Sequence, residues 1–169
     1  MKTKEKPVVS IVMGSDSDLP VMKEAVFMLE EFGVPCEVVL ASAHRSPDRT
    51  SSFARNAAPR GIKVIIAGAG AAAHLAGVIA SQTTLPVIGV PINATPLNGL
   101  DALLSTVQMP GGIPVATMAL DSAGAKNAAL LSVRILALNN QQLRQKLDEY
   151  AVRLAKGIEE KQEKLTWSK

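Results

Sequence analysis

Five short apolar runs, each separated from the next by one helix-patterned stretch, constrain this chain more than any other feature. They are Val8 to Met13, Cys36 to Ala41, Val64 to Ala67, Val87 to Val90 and Val115 to Met118, at intervals of roughly 25 to 30 residues. Each is too short for a helix, and most are rich in β-branched residues, the pattern of strands buried on both faces. Between the first two runs, Met22, Ala25, Val26, Leu29 and Phe32 recur at helical spacing, and Gly33 with Pro35 closes the segment. Pro47 opens the next helix, which reaches to about Ala58. Further helices follow His74 and span about Asn98 to Thr106. Strands joined by single helices pair in parallel through right-handed crossovers. The expected fold is therefore a three-layer α/β/α sandwich around a parallel sheet of about five strands.

A length of 169 residues with 47% hydrophobic content fits one domain over residues 1–169. Its core runs from about 8 to 138, with a helical extension over about 140–165. Ala123 to Leu138 reads as an Ala- and Leu-rich helix whose only charges are Lys126 and Arg134, which predicts cover by another subunit. From Asn140 the pattern changes to a charged helix with the stripe Leu143, Leu147, Tyr150, Leu154 and Ile158, able to fold back or to pack on a neighbour.

The net charge of +3 comes from the ends, with Lys2, Lys4 and Lys6 at the start and a basic excess after Arg144. With 3% aromatic residues there is little to stack on bases, which argues against nucleic-acid binding. No run is long and apolar enough for a membrane span, and no signal-peptide core follows Met1, so a soluble cytoplasmic chain is expected. Cys36 is the only cysteine and reads as a small hydrophobe. No Cys/His cluster or close set of carboxylates suggests a metal site.

In an open parallel sheet, ligands bind beyond the carboxyl ends of the strands. Gly14-Ser15-Asp16-Ser17-Asp18 follows the first strand, and its hydroxyls and free N–H groups at a helix start suit a phosphate. Asp18 reads either as that helix's cap or as an acceptor for ribose hydroxyls. Ser42-Ala43-His44-Arg45-Ser46-Pro47 follows the second strand. There His44 can exchange a proton near neutral pH and Arg45 can fork a phosphate, unless both are ordinary solvent-facing side chains. Gly68-Ala69-Gly70-Ala71-Ala72-Ala73-His74 follows the third strand. It matches a dinucleotide pattern only loosely, because it does not open the fold and no acidic residue stands about 20 positions later. Its small residues leave room for a ligand ring. His74 reads equally as a pocket donor and as a helix-start residue. These residues together point to a phosphorylated small molecule handled by a histidine acid/base.

The segments Val12 to Asp18, Ser42 to Pro47, Ala67 to Leu75, Gln108-Met109-Pro110-Gly111-Gly112-Ile113-Pro114 and Asn127 to Leu131 together resemble the aminoimidazole ribonucleotide mutase/carboxylase family. The likeness covers roughly residues 8 to 138. It implies a flavodoxin-like domain, no cofactor, and a homo-octamer with active sites built partly from adjacent subunits. It also implies that Ser15, Asp18 and Arg45 bind the nucleotide, with Ser17 and Ser42 as further phosphate or ribose contacts. His44 would be the catalytic acid/base, and Gly70, His74 and Leu75 would wall the imidazole. Ala71 stands where a glycine is usual, and Ala76 where a proline is usual. Ser-Ala-His-Arg with Ala-Gly-Ala-Gly is similar to class I, which rearranges 5-(carboxyamino)imidazole ribonucleotide into 4-carboxy-5-aminoimidazole ribonucleotide. Class II instead carboxylates 5-aminoimidazole ribonucleotide directly, and a flavodoxin-like binding module without turnover is the remaining alternative.

Overall fold

The computed structural model describes residues 6–165; Lys2, Lys4 and Lys169, which belong to the basic ends, lie outside the described residues. The elements are β1 (Val9–Met13), one 3-10 turn (Asp16–Asp18), α1 (Leu19–Phe32), β2 (Cys36–Leu40), α2 (Pro47–Ala57), β3 (Val64–Gly70), α3 (Leu75–Ala80), β4 (Val87–Ile92), α4 (Leu100–Val107), β5 (Ala116–Thr117), α5 (Asp121–Ala137) and α6 (Gln141–Glu163). The chain divides into two compact units, Met1–Ser132 and Val133–Lys169, so the division falls inside α5 and earlier than the sequence boundary near residue 140.

In the first unit all five strands are parallel, in the order β2-β1-β3-β4-β5. With helices on both sides of the sheet, this is the flavodoxin-like arrangement. Burial explains the strand compositions. Val9, Ile11, Val12, Val64, Ile65, Ile66 and Ile88 are wholly buried, each contributing about 1.5–3 kcal/mol from the apolar surface removed from water. β2 is an edge strand and leaves Val38 and Leu40 exposed. Within the sheet, Ser10 is buried beside Glu37, to which its hydroxyl donates a 2.6 Å bond. Arg60 forks the same carboxylate at 2.7 and 3.0 Å. On one face Val12, Ile65 and Ala67 pack with Ala54, Ala57, Leu75 and Ile79 of α2 and α3.

Register and turn chemistry set the edge that carries the loops. Met13 lies opposite both Leu40 and Gly68, so the loops after β1 and β2 leave the sheet side by side. β3 runs three residues further than its apolar run suggests, because Gly68, Ala69 and Gly70 pair with Val90, Pro91 and Ile92. The expected loop after β3 therefore starts at Ala71. α1 ends as expected at Gly33, whose left-handed backbone (φ 70°) lets its N–H reach the carbonyls of Leu29 and Glu30.

The chain itself covers part of α5. Ala125, Ala128, Ala129 and Ser132 are buried, and Leu130 and Leu131 are half-buried. Its small residues let the helix approach its surroundings closely, while the half-buried leucines keep part of their surface open in the isolated chain. Among the exposed apolar side chains of the first unit, Leu97, Leu100, Leu104 and Val107 fall close together along the chain, in and just before α4. In the second unit, Asn140 caps α6 by accepting the Leu143 N–H at 3.1 Å. Along α6, Leu143, Leu147 and Tyr150 are half-buried, and Leu154 and Ile158 are exposed. No helix among the described residues is long and apolar enough to cross a membrane.

Candidate active site

The strand order reverses between β1 and β3, and loops leaving neighbouring strands in opposite directions open a crevice at their carboxyl ends. A cavity of about 310 Å³ occupies this place. Ser15, Ser17, Asp18, Ser42, His44, Arg45, Gly70 and Leu75 line it. Of the residues expected at the site, His74 alone does not line it, and it reaches the cavity through His44.

The loop after β1 is held by its own side chains. The Ser17 N–H donates to Ser15 Oγ at 3.4 Å, and the Ser15 N–H donates back to Asp18 Oδ2 at 3.2 Å. This reciprocal arrangement caps the 3-10 turn. Asp18 makes no capping bond to α1, which corrects the reading of it as the cap of that helix. Asp18 is buried. Burial pushes its carboxyl above the usual aspartate range, while the Ser15 N–H and the charge of Arg45 pull the other way. An acceptor that is buried and tied by only one backbone N–H suits ligand hydroxyls.

The loop after β2 is a tight turn built by serines. Ser42 Oγ accepts the Arg45 N–H at 3.2 Å, and Ser46 Oγ accepts the Ser42 N–H at 2.9 Å. Arg45 then crosses to the neighbouring loop, where Nη2 donates to the Gly14 carbonyl at 2.7 Å. One guanidinium edge is thereby fixed and other N–H groups remain for an anion. A second hollow of about 350 Å³ adjoins the cavity, sharing Gly14, Ser15, Ser42 and Arg45 and adding Arg49. Arg49 is held by its own Nε donating to the Leu40 carbonyl at 2.8 Å.

His44 Nε2 lies 2.9 Å from His74 Nδ1, with the rings edge to face at 82°. One ring supplies the proton of this bond and the other a lone pair. Both rings are exposed. Neither loop alone predicts the pairing, since thirty residues separate the two histidines. It arises because β2 and β3 flank β1.

Ala71 lines the cavity with φ 53°, a left-handed backbone that explains why glycine is usual there. One lining segment, the loop after β4, escaped the sequence reading. Ala94 comes from the loop after β4 and closes the wall opposite Gly70. The rule that directs attention to the loops after β1, β2 and β3 applies equally to β4, and would have found it. A larger cavity of about 640 Å³, bounded by Arg55, Gln82, Leu85 and Pro114, has no histidine or carboxylate in its lining.

The AIR carboxylase family model matches residues 8–157. An N5-carboxyaminoimidazole ribonucleotide mutase of Pyrococcus horikoshii is 61% identical over 95% of this chain and 90% of its own length. One of Thermotoga maritima is 55% identical over 94% and 92%. A crystal structure of Treponema denticola PurE superposes with a TM-score of 0.85 at 29% identity, covering 95% of this chain and 99% of that one. The match spans the sheet, the three loops and most of α6, and the chain belongs to the AIR carboxylase family.

Proposed function

We propose that the chain is a mutase that converts 5-(carboxyamino)imidazole ribonucleotide into 4-carboxy-5-aminoimidazole ribonucleotide, a step of purine biosynthesis. The observation that carries the reading is the His44–His74 pair at 2.9 Å beside a cavity lined by Arg45, Ser15 and a buried Asp18. Mutases in two distant organisms, each more than half identical over nearly the whole chain, support it.

Ser15, Ser42 and Arg45 border both hollows, and we assign the phosphate end of the substrate to where the two meet. Arg45, which borders both, takes the phosphate together with Ser17 and Ser42, while Ser15 and Asp18 receive the ribose hydroxyls. The imidazole then lies between Gly70, Leu75 and His44. His44 begins as the imidazolium. As the N–carboxylate bond breaks, its electrons stay on nitrogen, His44 protonates that nitrogen, and carbon dioxide is released into the cavity. The enamine-like ring carbon C4 attacks the trapped carbon dioxide. Neutral His44 then removes the C4 proton, which restores both aromaticity and the imidazolium. No atom or electron is gained overall, and the residues named here suffice without a cofactor. His74 holds the imidazole of His44 in place and keeps one of its nitrogens in a defined hydrogen bond.

Trapped carbon dioxide requires a closed pocket, yet His44, Arg45 and His74 are exposed in the isolated chain. A neighbouring subunit supplies the missing cover in a homo-octamer with interfacial active sites. The exposed Leu97, Leu100, Leu104 and Val107 support such an assembly. The same reading assigns the enzyme to the cytoplasm. His44→Asn tests the chemistry. The variant should keep its fold and nucleotide affinity and lose at least ~100-fold in kcat, whereas nearly normal turnover rejects His44 as the proton carrier.

A further inference from the structure

Among the described residues, three that are not glycine adopt the left-handed backbone region, Ala71, Asn98 and Asp121, and each follows the carboxyl end of a strand, at the edge where the cavity opens. Such conformations persist where surrounding structure enforces them. Asp121 has φ 57° and begins α5, but its carboxylate is bonded away from its own helix. Its Oδ1 accepts the N–H of Asn93 at 2.8 Å, across 28 positions of sequence. Asn93 is the first residue after β4, and Ala94, the next, forms a wall of the catalytic cavity. That wall is close to the floor opposite: a Cβ added to Gly70 would stand 2.5 Å from Ala94 Cβ. The residue before Asp121 braces the same loop at its far end. Leu120 fills the space where a Cβ on Gly99 would fall, 2.7 Å from Leu120 Cδ2, and Gly99 itself has φ 83°. The segment Leu120–Asp121 thus grips the loop from Asn93 to Gly99 at both ends.

We propose that Asp121 is a positioning residue, which through Asn93 holds Ala94 at the depth that fits the cavity to the substrate ring. The inference rests on the mutase reading for its kinetic consequence and on geometry alone for the brace. Ala94 offers only a methyl group and backbone, so it shapes the bound state and the transition state alike. Loss of the brace therefore raises KM and leaves kcat nearly unchanged. A purely structural helix-start role would alter stability without that split.

The test compares Asp121→Gly, which removes the acceptor and relaxes the backbone, with Asp121→Asn, which keeps an oxygen in place and tolerates the left-handed region. Hydrogen exchange at the Asn93 amide and steady-state kinetics are measured on the full chain. D121G should speed exchange by at least ~10-fold and raise KM by roughly 3- to 10-fold with kcat within about 2-fold, and D121N should match the unmodified enzyme. Unchanged exchange in D121G overturns the brace. Faster exchange with unchanged KM overturns the coupling to the cavity, and D121N behaving like D121G overturns the role of the acceptor oxygen. If the unmodified chain has no mutase turnover, the functional reading fails by itself. Exchange, with 5-aminoimidazole ribonucleotide affinity measured by calorimetry, then still decides the brace.

Discussion

Gly70→Ala tests whether close backbone approach shapes the cavity. Gly70 ends β3 opposite Ile92, and its missing Cβ would lie 2.5 Å from Ala94 Cβ and 3.1 Å from the Ile92 carbonyl oxygen. Carbon atoms rest at about 3.5–4.0 Å, so the overlap with Ala94 is about 1 Å. Neither neighbour is the end of a flexible side chain, so the strand or the loop must move. Overpacking of this kind costs about 1–3 kcal/mol. A wall displaced by about 1 Å also lowers catalytic efficiency, by up to ~100-fold. Ala94→Gly removes the nearer obstacle and leaves the Ile92 carbonyl. The double variant should therefore recover part of both losses, with a favourable coupling of about 1–2 kcal/mol. Urea unfolding at one fixed protein concentration and kcat/KM, measured on both single variants and the double, close the cycle. A Gly70→Ala enzyme as stable and active as the parent, or a double variant no better than the sum of its singles, refutes the reasoning.

Arg45→Ala should weaken substrate affinity by tenfold or more, and Arg45→Lys should restore it only partly, because an ammonium lacks the planar fork; calorimetry with the nucleotide checks both, and normal binding would move the phosphate elsewhere. Ala71→Gly relieves a left-handed alanine, worth about 1–2 kcal/mol, against about 0.5–1 kcal/mol of added chain entropy. Urea unfolding should show it neutral to slightly more stable, and a loss above about 1 kcal/mol would show that no strain resides there. Arg60 and Ser10 hold the Glu37 carboxyl below the ordinary glutamate range. Its contribution is then complete above about pH 4–5 and is lost as pH falls through the lower folded value. Glu37→Gln should lower stability by about 1 kcal/mol at pH 7, a figure kept small because Arg60 is 43% exposed. The difference should shrink on acidification, and a pH-independent difference would contradict the assignment.

The sheet was legible because strands buried on both faces must be largely apolar, and Val64–Ala67 is wholly so while Val9–Met13 is broken only by Ser10, whose hydroxyl is bonded to Glu37. The three loops were legible because strand ends dictate where ligands bind, and the structure gathers Ser15, Asp18, Ser42, His44, Arg45, Gly70 and Leu75 around one cavity. What stayed hidden depends on partners distant in sequence. Gly68 to Gly70 carry little strand propensity of their own and become strand by pairing with β4. The sequence left Asp18 open between helix cap and ligand acceptor, because its bond from the Ser15 N–H depends on the shape of the turn before α1. Hydropathy alone could not say how much of α5 its own chain covers and how much is left for a neighbour, since both demand the same residues. Nothing local in Asp121 announces a left-handed backbone or a bond to Asn93.

The central claim is a rearrangement in which the carboxylate leaves nitrogen and returns on carbon within one closed pocket. Purified chain given 5-(carboxyamino)imidazole ribonucleotide, without ATP and with labelled bicarbonate in solution, tests it most directly. The account predicts rapid formation of 4-carboxy-5-aminoimidazole ribonucleotide whose carboxylate carries little label, because the carbon dioxide never equilibrates with solvent. Turnover only of 5-aminoimidazole ribonucleotide with bicarbonate, or full incorporation of label from solution, would contradict it.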